Sequence, residues 1–515
     1  MFRSASSKFT KTILTKRSYA DTNRTMSCTL NERPATDKLI EDIATYVHKK
    51  DITSPVAIQT AKWCLLDTLG CGLAALNFPL AKKVMTPVMP EQLTQIPCGA
   101  KIPGTNWSMD PVNGSFTFGT MIRWLDFNDC WLASEWGHPS DNLGGILPVA
   151  DYINRNLKGQ GMPLTINDIL QCMIKAHEIQ GVLALDNSFN AHGLDHVLLV
   201  KLATASVVSK LLNLTQEQTI QCISHALVDG QSLRTYRHAP NTGSRKSWAA
   251  GDAVSRAVKI AFMVKQTKSQ LGDIPSILSA PKWGFYDVLN DGKPFIFSQR
   301  KTFDSYVMEN VLFKISFPAE FHAQTAVEAA LIVKKQLDSM GKTYSDIESI
   351  IIRTQQAAMD IINKSGPLHN YADRDHCIQY MVAIPLIYGE LKATHYMDDI
   401  ALSNPDIDIL RDKMECKVDK QLTKDYHDPK KRAISNALLV KLKDGTILDE
   451  VLVNYPIGHH LRRKEGIPLL LQKFTNHLEQ HFNKSERTSN ILDISLGDKF
   501  GEMPVDEYID MYVNK

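Results

Sequence analysis

The spacing of apolar and polar positions predicts mostly helices over roughly the first three-fifths of the chain. Lys38–Lys49 places apolar residues at helical intervals. Ser54 followed by Pro55 is a favourable N-cap and first helical position, and begins a long apolar helix that extends to about Leu76. Residues 197–212 are apolar nearly all round, which indicates a helix inside a bundle. Further helices are predicted at 112–125, 142–156, 166–185, 196–213, 215–229 and 247–266.

Beyond these helices the pattern becomes mixed. A helix is predicted near residues 320–340, and the β-branched residues of Ile347–Thr354 predict a buried strand. Residues 437–442 and 447–453 flank Asp444-Gly445, which is the strongest hairpin signal in the chain.

Helical spacing resumes at residues 464–482. The order of these elements predicts a mainly α protein in which a large all-helical domain is interrupted by a smaller α/β domain. The expected boundaries are 35–309 for the first part of the helical domain, 310–460 for the α/β domain and 461–515 for the C-terminal return to the helical domain.

The first residues have the composition of a targeting signal. Residues 1–24 contain six basic residues against the single acid Asp21, and they are rich in Ser and Thr. Phe2, Phe9 and Ile13 can share one helical face opposite the basic residues. These features are typical of a mitochondrial transit peptide, and they predict a location in the matrix. The alternative is an ordinary basic tail.

Charge and cysteine content exclude several classes of protein. The 58 basic and 56 acidic residues give a net charge of +2, so the charge gives no general reason to expect a nucleic-acid partner. The nine cysteines include no Cys-x-x-Cys pair, which argues against a disulfide framework or a zinc ribbon and favours a reducing compartment. The longest apolar stretch, residues 64–76, is interrupted by Asp67 and glycines. We interpret the chain as a soluble globular protein that does not cross a membrane.

One segment concentrates the residues suited to acid–base chemistry. Residues 123–131 and 135–142 combine carboxylates and an imidazole with three tryptophans. Bulky tryptophans beside acids suggest a walled polar pocket. Asp126 and His138 within such walls are suitable for proton transfer near neutral pH. The structural alternative is a capped helix junction whose polar groups are all satisfied.

A second segment suggests an anion site. Residues 242–252 run from a Gly/Ser loop into a helix, with Arg245 and Lys246 in the first turn. Because the helix dipole disfavours cations there, an anionic ligand would resolve the conflict. A solvated basic loop is the alternative. The segment is no phosphate-binding P-loop, and no Gly-x-Gly-x-x-Gly motif begins a βαβ unit.

Several single residues carry weaker signals. His196 follows Asp195 at a helix start, where a histidine is more often structural than catalytic. Lys314 and His322 lie near the expected domain boundary, where a cleft edge is plausible, and Tyr371 lies in a polar cluster typical of a turn. No His, Cys, Asp or Glu spacing matches a metal site, and no cysteine set provides an iron–sulfur cluster. We therefore expect neither metal nor cofactor.

Together these motifs resemble the MmgE/PrpD family. The resemblance rests first on residues 123–129 and 136–147 and extends in order over about 35–515. Further matching segments are 193–201, 245–252, 313–322 and 425–429. The resemblance implies a large helical domain with a smaller α/β lid, a homodimer and no metal or cluster. It also implies dehydration of 2-methylcitrate to 2-methyl-cis-aconitate in the methylcitrate route for propionyl-CoA carbon.

The resemblance to a decarboxylase of the same family, which acts on cis-aconitate, implies particular site residues. These are catalytic Asp126, His138 and Tyr371, and substrate-binding His196, Lys246 and Lys314. Lys314 lies one residue out of register with the family's lysine, and Cys130 replaces a threonine. Glu320 stands where the decarboxylase has a lid histidine, which separates this chain from it.

The resulting expectation is a mitochondrial hydro-lyase acting on a tricarboxylate. Asp126 and His138 form the acid–base pair, with their individual roles left open. Lys246 and His196 anchor carboxylates, and Tyr371 closes over the substrate. The alternatives of the same class are decarboxylation of cis-aconitate and dehydration of citrate. The alternative of a different class is a catalytically silent helical binding protein.

Overall fold

The computed structural model describes residues 31–86, 94–157, 159, 161–228 and 230–514. The predicted transit peptide, residues 1–24, lies outside the described residues. From Thr36 onward the chain forms one compact unit, so the predicted domain boundaries near 310 and 460 stay a prediction.

Helices dominate the described residues, as the periodicity predicts. The first are α1 Lys38–Lys49, α2 Pro55–Ala75, α3 Pro79–Met85, α4 Pro111–Arg123, α5 Leu143–Arg155, α6 Ile166–Asp186, α7 Val197–Leu211, α8 Gln216–Val228, α9 Arg245–Gln266, α10 Phe285–Leu289 and α11 Tyr306–Asn310. The later ones are α12 Gln324–Ser339, α13 Gln356–Ile362, α14 Tyr371–Arg374, α15 Ile378–Tyr388, α16 Asp398–Ser403, α17 Asp406–Arg411, α18 Lys420–His427, α19 Arg463–Phe482, α20 Glu486–Leu496 and α21 Val505–Asp510. The mainly α fold class is confirmed, and the predicted helices are observed with their ends shifted by a few residues.

Local capping explains where several helices begin. Ser54 Oγ accepts a hydrogen bond from Ala57 N at 3.3 Å, as the Ser-Pro start predicts. The Asp110 carboxylate accepts from Val112 N at 2.9 Å and fixes the start of α4. These side-chain caps fix the residues at which α2 and α4 begin.

Three glycines let α4, α5 and α9 approach closely. A Cβ at Gly119 would lie 2.8 Å from Gly251 Cα, and one at Gly144 would lie 2.6 Å from Gly119 Cα. Only glycine fits such contacts without displacing backbone. The close packing brings together the C-terminal end of α4 and the N-terminal ends of α5 and α9, where the chemically interesting segments lie.

The strands are β1 Ala100–Lys101, β2 Ser108–Met109, β3 Trp131–Leu132, β4 Trp136–Gly137, β5 Ile347–Thr354, β6 Met414–Val418, β7 Asn436–Leu442 and β8 Val451–Val453. The largest sheet has the order β6-β5-β7-β8, with β5 and β6 parallel and the other pairs antiparallel. The predicted strand β5 and the hairpin around Asp444-Gly445 are confirmed, and Gly445 has a φ of +90° at the turn. β8 is shorter than the predicted 447–453.

Buried apolar side chains form two large clusters. One combines the helices before about residue 315 with the returning helices α19–α21, and the other combines α12, α15 and the four-stranded sheet. Within the described part of the chain, no single helix is long and apolar enough to span a membrane, although the bent pair α2–α3 passes that test by length and composition.

Candidate active site

Asp126 lies just beyond the end of α4 in a conformation that non-glycine residues rarely adopt. Its φ is +48°, in the left-handed region that costs an L-residue about 1–2 kcal/mol. The cost is offset by strong contacts, because its carboxylate binds Arg123 and the ammonium of Lys314. Lys314 Nζ also donates to the Asp126 carbonyl at 2.7 Å. Burial raises the pKa of Asp126, but the surrounding basic groups, chiefly Arg123 and Lys314, together hold this pKa well below its ordinary value.

His138 faces Asp126 with a defined tautomer. Its Nδ1 lies 2.6 Å from the carbonyl oxygen of Asp129, which only accepts, so Nδ1 carries the proton. Nε2 lies 3.7 Å from Asp126 Oδ1. Burial, reinforced by the charge of Arg123, lowers the pKa of His138 well below its ordinary value. The imidazole is therefore neutral near pH 7, with an unprotonated Nε2 directed at the site.

The carbonyl group that orients His138 belongs to Asp129, and further contacts fix this residue. Asp129 is fully buried, and its carboxylate accepts from Ser140 N at 3.0 Å and contacts His177 Nε2 at 2.8 Å. His177 Nδ1 in turn lies 2.8 Å from Met173 O on α6. These contacts connect Asp129, just before β3, to the helical core and fix the carbonyl that sets the His138 tautomer.

His196 stands opposite His138, with ring centroids 5.6 Å apart. Although Asp195 Oδ1 is 3.4 Å from its Nδ1, neither ring nitrogen has a hydrogen-bond partner among the described residues. Burial lowers the pKa of His196 well below its ordinary value, despite the opposing charge of Asp195. Arg237 is bound to Asp195, and Arg234 Nη1 also lacks a hydrogen bond within the described chain. Buried polar nitrogens without hydrogen-bond partners are rare, and here they point to a ligand.

Lys246 lies beside these residues and contacts them through other side chains. Its ammonium binds Asp375 and contacts His376 Nδ1 at 2.9 Å. His376 Nε2 lies 4.0 Å from Asp126 Oδ2. Burial lowers the pKa of Lys246, although Asp375 opposes that shift. The carboxylate partner of Lys246 in the structure is therefore Asp375, and His376 carries the contact onward to Asp126.

Tyr371 approaches the site from the α/β part of the chain. Its ring packs edge-on against Phe78 and Tyr396, and its buried hydroxyl has no hydrogen-bond partner among the described residues. Burial, then the charges of Asp375 and Asp126, raises its pKa well above the ordinary value. Tyr371 lines a neighbouring cavity of about 430 Å³.

The catalytic candidates share a small cavity of about 30 Å³. Its walls carry four guanidinium or ammonium groups against two carboxylates. The charged and imidazole lining residues are Arg123, Arg234, Arg237, Lys314, Asp126, Glu320, His138, His196 and His376. Such an excess of cations favours an anionic ligand.

Glu320 forms the far end of this lining. Its carboxylate binds His322 Nδ1 and His322 N, both at 2.8 Å. Burial raises the pKa of Glu320, but His322, His376 and Lys314 together outweigh it and bring this pKa to about 2. His322 Nε2 lies 3.1 Å from the hydroxyl of Tyr426. The position expected to differ from the decarboxylase is thus an ionised carboxylate that His322 binds.

Four of the six predicted site residues meet at one cavity: Asp126, His138, His196 and Lys314. Lys246 and Tyr371 lie beside it rather than in its lining. The cavity arginines and His376 were not among the predicted site residues. Arg123 lies within the recognised motif, and Arg234 and Arg237 precede the basic loop, so local cationic density was the available signal.

Two groups of buried side chains have atoms of the kind that bind metals within 4.8 Å of one another: Cys64, Asp129 and His177, and Asp126, Asp375 and His376. Each group combines residues from distant parts of the chain, so motif spacing does not reveal it. In the second group the carboxylates bind lysine or arginine side chains, which already supply the positive charge. In the first, the Asp129 oxygens accept from Ser140 N and contact His177.

Fold and site together define a mainly α protein with a buried, cation-lined acid–base cavity. The chain belongs to the MmgE/PrpD family: the MmgE/PrpD N-terminal domain matches residues 41–298, and the C-terminal domain matches residues 317–497. It is 61% identical to the probable 2-methylcitrate dehydratase of Saccharomyces cerevisiae, over 98% of this chain and 97% of that protein. It is 58% identical to the mitochondrial 2-methylcitrate dehydratase of Yarrowia lipolytica, over 98% and 96%. It is 56% identical to the 2-methylcitrate dehydratase of Escherichia coli, over 95% and 100%.

Proposed function

We propose that this chain is a hydro-lyase that dehydrates 2-methylcitrate to 2-methyl-cis-aconitate. The observation that carries the proposal is the unprotonated His138 Nε2 directed into a cavity with four cationic groups against two carboxylates. That arrangement suits removal of a proton next to a carboxylate of a multiply charged anion. The names of the relatives, which share 56–61% of this sequence over nearly its full length, support the same substrate.

In this proposal His138 is the base. The reaction breaks a C–H bond next to a carboxylate, forms the C=C bond and releases hydroxide, which takes up a proton and leaves as water. Nε2 of His138 accepts the first proton, because its tautomer leaves that nitrogen unprotonated. Asp126 is a permanent anion between Arg123 and Lys314, so its role is to stabilise the imidazolium that forms 3.7 Å away.

The second proton is assigned to Tyr371, whose buried hydroxyl has no partner in the described part of the chain. Its raised pKa keeps the phenol protonated at neutral pH, as a donor to the departing hydroxyl requires. His196 and the arginines with unused donors bind the substrate carboxylates. Lys246 acts through His376 and Asp375 rather than by direct contact.

The small volume of the cavity supports a movement of the chain when substrate binds. A cavity of about 30 Å³ is too small for a tricarboxylate, since small-molecule sites usually measure about 300–1,000 Å³. We propose that residues 310–460 form a lid that moves against the helical domain of residues 35–309 and 461–515, and that Tyr371 closes over the bound substrate. Lid closure excludes water and completes the catalytic set. The proposal also includes a homodimer, which light scattering would detect as twice the 57.7 kDa chain mass.

Product analysis tests the proposal. The purified protein is incubated separately with 2-methylcitrate, citrate and cis-aconitate, while ultraviolet absorbance of the conjugated product and release of CO₂ are followed. We expect a conjugated product from 2-methylcitrate and no CO₂. Release of CO₂ from cis-aconitate would identify a decarboxylase, turnover of citrate alone would identify a citrate dehydratase, and no turnover at all would favour a binding protein.

Tyr371→Phe is expected to lower kcat by about 10²–10⁴ without lowering the melting temperature. The change removes a hydroxyl that makes no hydrogen bond among the described residues, so folding loses little. Tyr396→Phe is the matched control. The Tyr396 hydroxyl is also buried and also lacks a hydrogen-bond partner among the described residues, and the two ring centroids lie 5.3 Å apart. Equal kinetics for both variants and the wild type would exclude Tyr371 as the acid.

We also propose a mitochondrial location with residues 1–24 as the transit peptide. The basic, hydroxylated composition of this segment and the mitochondrial relative from Yarrowia lipolytica support it. Deleting residues 1–24 is expected to abolish uptake by isolated mitochondria and to leave activity in vitro intact. Uptake of the shortened chain at full efficiency would contradict this assignment.

A further inference from the structure

The catalytic cavity has an apolar wall built by one face of the β3–β4 hairpin. Cys130 and Leu132 lie two residues apart on an extended segment, so their side chains point to the same side. Trp136 is the register partner of Leu132 and therefore shares that face. Backbone hydrogen bonds between Cys130 and Leu312, at 2.8 and 3.0 Å, hold the segment in place. All three side chains line the cavity.

This wall is held by polar contacts and is completed from the other part of the chain. The indole Nε1 of Trp136 donates to the hydroxyl of Tyr426 at 2.9 Å, and the guanidinium of Arg234 stacks 5.0 Å from the Trp136 ring centroid. Ile361, on α13, lines the same cavity with 8% of its surface exposed. An indole, a thiol and two aliphatic side chains therefore form one side of the cavity.

The rest of the lining is charged or imidazole, so the cavity is divided by polarity. A citrate carries a hydroxyl and three carboxylates, all of which need polar partners when they are buried. 2-Methylcitrate adds one methyl group, which needs none. The polar walls offer partners for the groups that the two substrates share, and the apolar wall matches the one group by which they differ.

We propose that Cys130, Leu132, Trp136 and Ile361 form a methyl-binding subsite that makes this chain prefer 2-methylcitrate to citrate. This inference rests on the proposed dehydratase function. One methyl group in a fitted apolar pocket changes kcat/KM by about 10–200-fold, so we expect a preference in that range. The competing explanation is that the wall only packs the small apolar cluster around Leu312, Phe321 and Tyr426.

Measuring substrate ratios separates these explanations, because a packing defect lowers activity toward all substrates alike. The kcat/KM values for citrate, 2-methylcitrate and its 2-ethyl homologue are compared in the wild type, Ile361→Val and Ile361→Ala. Ile362→Val is the matched control, since Ile362 is adjacent and fully buried in the core but does not line the cavity.

We expect Ile361→Ala to lower the ratio of kcat/KM for 2-methylcitrate to kcat/KM for citrate about tenfold. The same variant should raise the ratio of kcat/KM for the 2-ethyl homologue to kcat/KM for 2-methylcitrate. Ile361→Val should shift both ratios in the same directions by a smaller factor and guards against a folding failure of the alanine variant. Ile362→Val should leave both ratios within about twofold of the wild type.

Unchanged ratios in both Ile361 variants, or an equal shift in Ile362→Val, would overturn the subsite while leaving the dehydratase proposal intact. A wild type that prefers citrate would overturn the subsite in the same way. A wild type that turns over none of the three substrates would overturn both proposals.

Discussion

Replacing His138 with Gln is expected to lower kcat by about 10²–10⁴ while the protein stays folded. Gln is close to His in size and can still donate to the Asp129 carbonyl, but it offers no basic nitrogen to the substrate. His395→Gln is the control, because His395 is equally buried and lies outside the catalytic cavity. Turnover numbers and melting temperatures are measured on the same preparations of both variants.

The pH dependence gives an independent check on His138. Only its neutral form accepts a proton, so kcat/KM should fall as the pH drops through the pKa of His138. Because burial and the charge of Arg123 lower that pKa, the acid limb should lie below the pH at which a free imidazole titrates. Above this limb kcat/KM should reach its full value. His138→Gln should have no such limb. An acid limb that persists in the variant would assign the base to another group.

Asp126→Asn tests whether the pair acts as one unit. With Asp126 Oδ1 only 3.7 Å from His138 Nε2, the loss in the double variant should be close to that in either single variant, since groups acting together are non-additive. Unlike His138→Gln, Asp126→Asn should also lower stability, because it removes the counter-charge of Arg123 and Lys314. Additive losses in kcat would mean two independent roles.

The helices were predictable because their signals are local. Ser54-Pro55 fixes the start of α2, and the apolar spacing of residues 197–212 marks a buried helix without reference to the rest of the chain. β6 was not predicted, because Met414–Val418 is partly exposed and gives no apolar run. The two-residue strands of the β3–β4 hairpin are too short to produce a period.

The site was predictable only in part, for a related reason. Asp126 and His138 are 12 residues apart on one segment, so their shared pocket was a local inference. The partner of Asp126, Lys314, is 188 residues away, and its role depends on tertiary packing. The left-handed backbone of Asp126 has no sequence signal, because this conformation follows from the contacts of its carboxylate and carbonyl.

Lys314→Met is expected to lower both activity and stability. Lys314 is fully buried and donates to the carboxylate and the carbonyl of Asp126, so its loss breaks a buried ion pair and releases a strained backbone. Breaking such a pair costs about 3–5 kcal/mol of unfolding free energy. Losing a fixed charge at the reacting centre lowers kcat by about 10²–10³. Urea unfolding and steady-state kinetics measure the two effects separately.

Lys364→Met separates the catalytic effect of losing Lys314 from its effect on stability. Lys364 forms a comparable buried pair with Asp373, at 3.1 Å, and donates to Thr242 Oγ1, but it does not line the catalytic cavity. Its loss should lower the free energy of unfolding by a similar amount and leave kcat of the folded protein nearly unchanged. If Lys314→Met and Lys364→Met lost stability equally and both kept wild-type kcat, Lys314 would be a structural residue, and the electrostatic role assigned to the Asp126–Lys314 pair would be wrong.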